Sequence, residues 1–193
     1  MKLDDLLHQI RACRLCEAHL PFGPRPILRA AASAQLQIVG QAPGRRVHET
    51  GIPWNDASGN RLREWLQIPR EIFYDERRIA IIPTGFCYPG TGPDGDAPPR
   101  PECAPLWHPP LLSLLPQIRL TLLIGAHAQA YYLNTRAKKT LTLTVKAYRE
   151  YLPEFFPVPH PSPRNQGWLR QNPWFEAEIV PVLRERVSSI LTN

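Results

Sequence analysis

The chain lacks any apolar run near the roughly 18 residues that a membrane-spanning helix needs, so no membrane partner is expected. Its opening, "MKLDDLLHQI", is acidic and amphipathic rather than signal-like, which makes a cytoplasmic location the expectation. No internal repeat is present. Acidic residues are in the minority, 17 against 23 lysines and arginines, and the net charge of +6 suits a polyanionic partner. Cysteine is scarce: four residues with none to spare, in a chain with no sign of export, argue against a disulfide framework. A charged content of 21% and a hydrophobic content of 43% exclude a disordered chain, and 193 residues suit one monomeric domain over 1–193.

Periodicity supplies the elements. Leu3, Leu6, Leu7 and Ile10 predict an opening amphipathic helix. Short apolar runs at Leu36–Gly40, Arg78–Pro83, Leu120–Gly125 and Phe155–Pro159 predict strands. Helix-like segments at Asn60–Leu66, Ala104–Leu115, Ala126–Leu133 and Leu141–Tyr151 alternate with them. A last helix is expected with Asn172 as N-cap and Pro173 in its first turn. "YPGTGPDGDAPPRP" reads as a loop. This alternation predicts an α/β protein: a three-layer α/β/α sandwich around a mostly parallel four-stranded sheet, with ligands bound beyond the strands' carboxyl ends.

Each unusual segment follows a strand and so falls at that edge. "GQAPG" (Gly40–Gly44) suits either a tight turn or close approach of backbone amides to a ligand. "IPWNDASGN" brings together Trp54, Asn55 and Asp56 just before a helix that Ser58 or Asn60 could cap. In the same place Trp54 could stack on a planar heterocycle, and Asp56 could orient a water or stabilise a cation. "VPHPSPRNQGW" sets His160 between prolines that fix the backbone, followed by Ser162, Arg164, Asn165 and Gln166. Cys13 and Cys16 form a local pair, whereas Cys87 and Cys103 flank the Pro/Gly loop; buried thiols, zinc and an iron–sulfur cluster all fit that spacing.

Taken in order, these motifs resemble the uracil-DNA glycosylase superfamily from Cys13 to about Val187. "GQAPG" is similar to the first motif of the iron–sulfur (family four) enzymes, and "TGIPW" puts Trp54 where their base-stacking phenylalanine stands. "HPSPRN" resembles the third motif, in wording close to the single-strand-selective monofunctional enzymes. The four cysteines fit the family-four cluster pattern. Gln41 replaces the usual glutamate of the first motif, and Ala42 stands where the best-known uracil enzymes carry an aspartate. "DASG" is similar to the Asp-Arg-Ser-Gly of family five.

The resemblance implies a DNA repair glycosylase that hydrolyses the N-glycosidic bond of a flipped-out deaminated base, uracil foremost, in single- or double-stranded DNA. Asp56 and His160 would be catalytic. Gln41, Ala42, Trp54, Asn55 and Thr84 would hold the base, and Ser162, Arg164, Asn165 and Gln166 would engage DNA. Cys13, Cys16, Cys87 and Cys103 would bind a [4Fe–4S] cluster, with zinc as the lesser alternative. Two other readings are a DNA-binding member that has lost catalysis and an iron–sulfur redox-sensing module.

Overall fold

The computed structural model describes residues 2–93 and 95–192. Its strands are β1 (Leu36–Val39), β2 (Ile79–Ile81), β3 (Thr91–Gly92), β4 (Gly95–Asp96), β5 (Leu120–Ile124) and β6 (Phe155–Val158). The helices are α1 (Leu3–Arg11), α2 (Arg45–Thr50), α3 (Ala57–Leu66), α4 (Arg70–Phe73), α5 (Cys103–Ser113), α6 (Gly125–Leu133), α7 (Leu141–Lys146), α8 (Gln166–Gln171) and α9 (Val180–Leu191). The main sheet runs β2-β1-β5-β6 and is parallel throughout. No helix among the described residues is long and apolar enough to cross a membrane.

Alternation along the strands produces the three layers. Ile38, Ile81, Leu122 and Phe156 point to one face, where they pack with Leu62 and Trp65 of α3 and Leu183 and Val187 of α9. Their strand neighbours point the other way. Ala80 and Ile82 join Leu6 and Ile10 of α1 and Leu111 of α5, while Val39 and Leu123 join Ala128 and Leu133 of α6. Both faces are thus covered, which is why the strands read as continuous apolar runs. Each such fully buried aliphatic side chain contributes about 1.5 to 3 kcal/mol.

Two polar strand residues break the run. Gln37 and Thr121 are register partners, and the Thr121 hydroxyl donates to Gln37 Oε1 at 3.1 Å. Gln37 Nε2 donates to the Tyr132 hydroxyl (3.1 Å), which lies 2.7 Å from His108 Nδ1. His108 Nε2 lies 3.0 Å from the Pro83 carbonyl, which can only accept. The chain therefore has one sense: Nε2 carries the proton, and Nδ1 accepts from Tyr132. Burial pushes the His108 pKa down to about 4, so the ring is neutral.

Several boundaries differ from the sequence reading. The Pro/Gly segment contains the antiparallel β3–β4 ribbon rather than loop alone. The segment expected as a helix over Leu141–Tyr151 is α7 followed by a 3-10 turn at Tyr148–Tyr151. The last helix enters through a π-helical turn at Phe175–Ile179 before α9. Asn172 accepts from Trp174 Nε1 and donates to the Trp168 carbonyl, so its side chain braces tryptophans instead of capping backbone amides.

Candidate active site

Between β1 and β2 the chain steps one way across the sheet, and it then jumps to β5 on the other side of β1. Such a reversal opens a crevice at the carboxyl ends of the strands. A cavity of about 360 Å³ lies there, walled by the segment after β1, the start of α3, β4 and the proline loop after β6.

The β1 segment forms one wall with Gln41 and Ala42. It is zipped to the segment after β2: Thr84 N–H donates to the Gly40 carbonyl and Gly85 N–H to that of Gln41, both at 2.9 Å. The Thr84 hydroxyl lies 2.6 Å from the Gln41 carbonyl. Gln41 Nε2 donates to the Ala97 carbonyl at 3.1 Å, tying this wall to the residue after β4. Gly40 has to be glycine because a β-carbon there would stand 2.9 Å from the Trp54 ring.

Trp54 takes φ +55, a conformation unfavourable for a bulky residue. Two contacts hold it there. Its indole stacks on His160, and its carbonyl occupies the space where Gly59 would carry a β-carbon. Two residues on, Asp56 is the N-cap of α3, with Oδ1 accepting from Gly59 N–H at 2.8 Å. The cap engages one carboxylate oxygen while the residue still lines the cavity.

His160 lines the cavity from the proline loop after β6, against the Trp54 ring. The Ser162 backbone N–H lies 3.2 Å from its Nδ1, so Nδ1 accepts and the neutral ring carries its proton on Nε2. Burial lowers the His160 pKa, and the charge of Asp56 partly offsets that shift. Ser162 also caps the 3-10 turn at Pro163–Asn165 by accepting from Arg164 N–H at 3.2 Å. Asn165 Nδ2 donates to the His160 carbonyl at 2.8 Å. The prolines and these three bonds fix the imidazole in one orientation.

The cavity therefore gathers Gln41, Ala42, Trp54, Asp56, His160, Ser162 and Arg164. Other residues expected at the site are elsewhere. The Asn55 carboxamide accepts from Arg70 (3.2 Å) and is not part of the cavity wall. Thr84 is buried as the strap between two loops. Asn165 braces His160 from behind, and Gln166 is exposed at the start of α8.

Sequence reasoning missed Asp96. This second carboxylate in the wall is brought there by β4. Burial raises its pKa, Arg164 opposes that shift, and the charge of Asp56 adds to it. Arg164 crosses the ribbon so closely that a β-carbon on Gly95, at φ +129, would collide with its Nη1. The Pro-Asp-Gly run is a hairpin signature that could have revealed the ribbon.

A second cavity is lined by Cys13, Cys16, Cys87 and Cys103 with Arg100 and Trp107. All four cysteines are free thiols. Burial above all, with a smaller contribution from the nearby thiols and against the pull of backbone amides, raises Cys87 to about 11 and Cys103 to about 12. Phe86 N–H donates to Cys103 Sγ at 3.4 Å. Among the described residues, no group of three or more His, Cys, Asp or Glu side chains is placed to hold a metal ion.

A family model for the uracil DNA glycosylase superfamily matches residues 29–184. That span holds the whole main sheet and both catalytic candidates, whereas Cys13 and Cys16 precede it. The fold, the crevice at the reversal of the sheet and this match lead to one conclusion: the chain belongs to the uracil DNA glycosylase superfamily, whose members are generally hydrolytic DNA glycosylases.

Proposed function

We propose that the protein is a monofunctional DNA glycosylase that excises a deaminated base, uracil foremost, after the nucleotide flips into the cavity. The observation that carries this reading is the neutral His160 on the cavity wall, its Nδ1 committed to the Ser162 amide and its Nε2–H without a partner among the described residues. As the C1′–N bond breaks, its electron pair passes to the base, and the Nε2–H donates to the base oxygen on which negative charge grows. The Asp56 oxygen left over from the cap orients a water beneath the oxocarbenium-like sugar and receives its proton. Trp54 supplies the apolar wall against the base, and Arg164 stands at the mouth to meet the strand. Flipping costs a few kcal/mol, least for an unpaired or mispaired base.

The four cysteines suit a [4Fe–4S] cluster. All the donors are thiols around one cavity, and a cubane takes each thiolate at a separate corner rather than four at one ion. When bound, the cluster would be structural, joining the segment after α1 to the β2 loop and α5. Excision needs only the residues of the first cavity.

The test is a panel of oligonucleotides carrying uracil, hypoxanthine or xanthine, single- and double-stranded, incubated with the protein and then cleaved with alkali. Uracil excision is expected. Absence of cleavage on every substrate would overturn the enzyme reading and leave a DNA-binding member, which the lack of carboxylates at Gln41 and Ala42 would then explain.

A further inference from the structure

Phe22 leaves 53% of its surface exposed, yet its ring is not loose. One face stacks on Tyr88, with centroids 5.5 Å apart and planes at 25°. Tyr88 is itself buried, and its hydroxyl is bonded to Thr91 at 2.7 Å. The His48 ring leans on both, with centroids at 6.1 and 5.9 Å. An exposed aromatic fixed from below by two others presents a flat surface to solvent with little conformational entropy left to lose.

The surroundings are cationic. Arg45 lies 5.8 Å from the Phe22 ring centroid, follows Gly44 of the cavity wall directly and forms an exposed pair with Glu49 at 3.0 Å, which a phosphate can displace. Arg46 is exposed and has no ion-pair partner among the described residues. Arg25 reaches the carbonyls of His48 and Glu49 at the end of α2. Sheet order places this group relative to the cavity. Tyr88 follows β2 at one edge of the sheet, whereas the His160 loop follows β6 at the other. Arg45, next in the chain to Gly44 of the cavity wall and beside the Phe22 ring, links the two places.

We infer that Phe22, seated on Tyr88 and flanked by Arg45 and Arg46, is a stacking platform for an unpaired base neighbouring the flipped nucleotide. The inference rests on DNA being the substrate, as proposed above. The ligand is single-stranded DNA: the ring takes a base face and the guanidinium groups take its phosphates, a combination that is sequence-tolerant and salt-sensitive. In a duplex the neighbouring base is already stacked and paired, so the platform favours single strands.

The test is binding of undamaged single-stranded and duplex oligonucleotides by fluorescence anisotropy, with melting curves confirming that each variant is folded. Phe22→Ala should weaken single-strand affinity by about tenfold and duplex affinity less. Phe22→Trp should restore it, and Phe22→Leu, which keeps apolar surface without a π-face, should behave like alanine. Unchanged affinity in the alanine variant, or full rescue by leucine, would overturn the platform and assign the exposed ring to another partner. Because the oligonucleotides carry no damage, the outcome is independent of excision. A wild type that cleaves no base beside a Phe22→Ala protein that has lost affinity would sink the enzyme reading alone.

Discussion

The indole of Trp54 lies against the imidazole of His160, ring centroids 5.5 Å apart and planes 29° from parallel. No base fits between them. A base in the cavity has to use the remaining face or edge of the indole while His160 reaches its rim. The pair is costly to hold, since a bulky residue at positive φ is strained by about 1 to 2 kcal/mol. Trp54→Gly should therefore be more stable than Trp54→Ala by about 1 kcal/mol in urea denaturation, although both lose the ring. Gly59→Ala, ordinarily helpful inside a helix, should be severely destabilising because its β-carbon meets the Trp54 carbonyl.

Asp56 combines a helix cap with a cavity carboxylate, and two substitutions separate these roles. Asparagine is as good an N-cap, so Asp56→Asn should fold as the wild type does. Its single-turnover excision should fall by about two to three orders of magnitude through loss of the charge. Asp56→Ala should show the same loss of rate and in addition about 1 kcal/mol less stability. Wild-type excision by Asp56→Asn would move the role to Asp96.

The buried His108 makes stability depend on pH. With its pKa held at about 4 against an ordinary 6.5, the unfolded chain takes up a proton that the folded chain refuses between those values. Stability should be flat above pH 6.5 and fall on acidification, by about 1.4 kcal/mol per pH unit down to pH 4. The lowered pKa of His160 acts in the same direction. Urea titrations at pH 7 and pH 5 measure the slope. His108→Gln should be less stable at pH 7 yet show a shallower dependence.

At the cysteine site, burial disfavours the thiolates, so the proposed cluster would have to supply their compensation. The purified protein should be brown and carry about four irons per chain. Cys87→Ser should bleach it and lower its melting temperature. A colourless protein with one zinc per chain would replace the cluster by a single ion.

The sequence made the main sheet legible because both of its faces are buried, so each strand is an unmixed apolar run between turn residues. The proline loop was legible because proline constrains the backbone wherever it stands, and His160 lies where that loop places it. Asp96 was hidden because strands of two residues carry no period, and its proximity to Asp56 arises only when the ribbon folds over the cavity. The cap on α3 was read two or four residues late, at Ser58 or Asn60, since all these residue types can cap and only the backbone decides. Nothing local announces φ +55 at a tryptophan; that conformation is imposed by Gly40, Gly59 and His160, all distant from it or supplied by the tertiary fold.

The strap at Thr84 has one more effect. From Thr84, which grips the Gln41 carbonyl, to Cys87 in the second cavity, the chain runs three residues, about 10 Å at full stretch. Between the two, Phe86 is buried and its carbonyl accepts from Ile27 N–H at 2.8 Å, so the tether is itself packed into the core. The two cavities thus share one short packed segment, and whatever anchors the cysteines also anchors the chain that straps the wall where the base would rest.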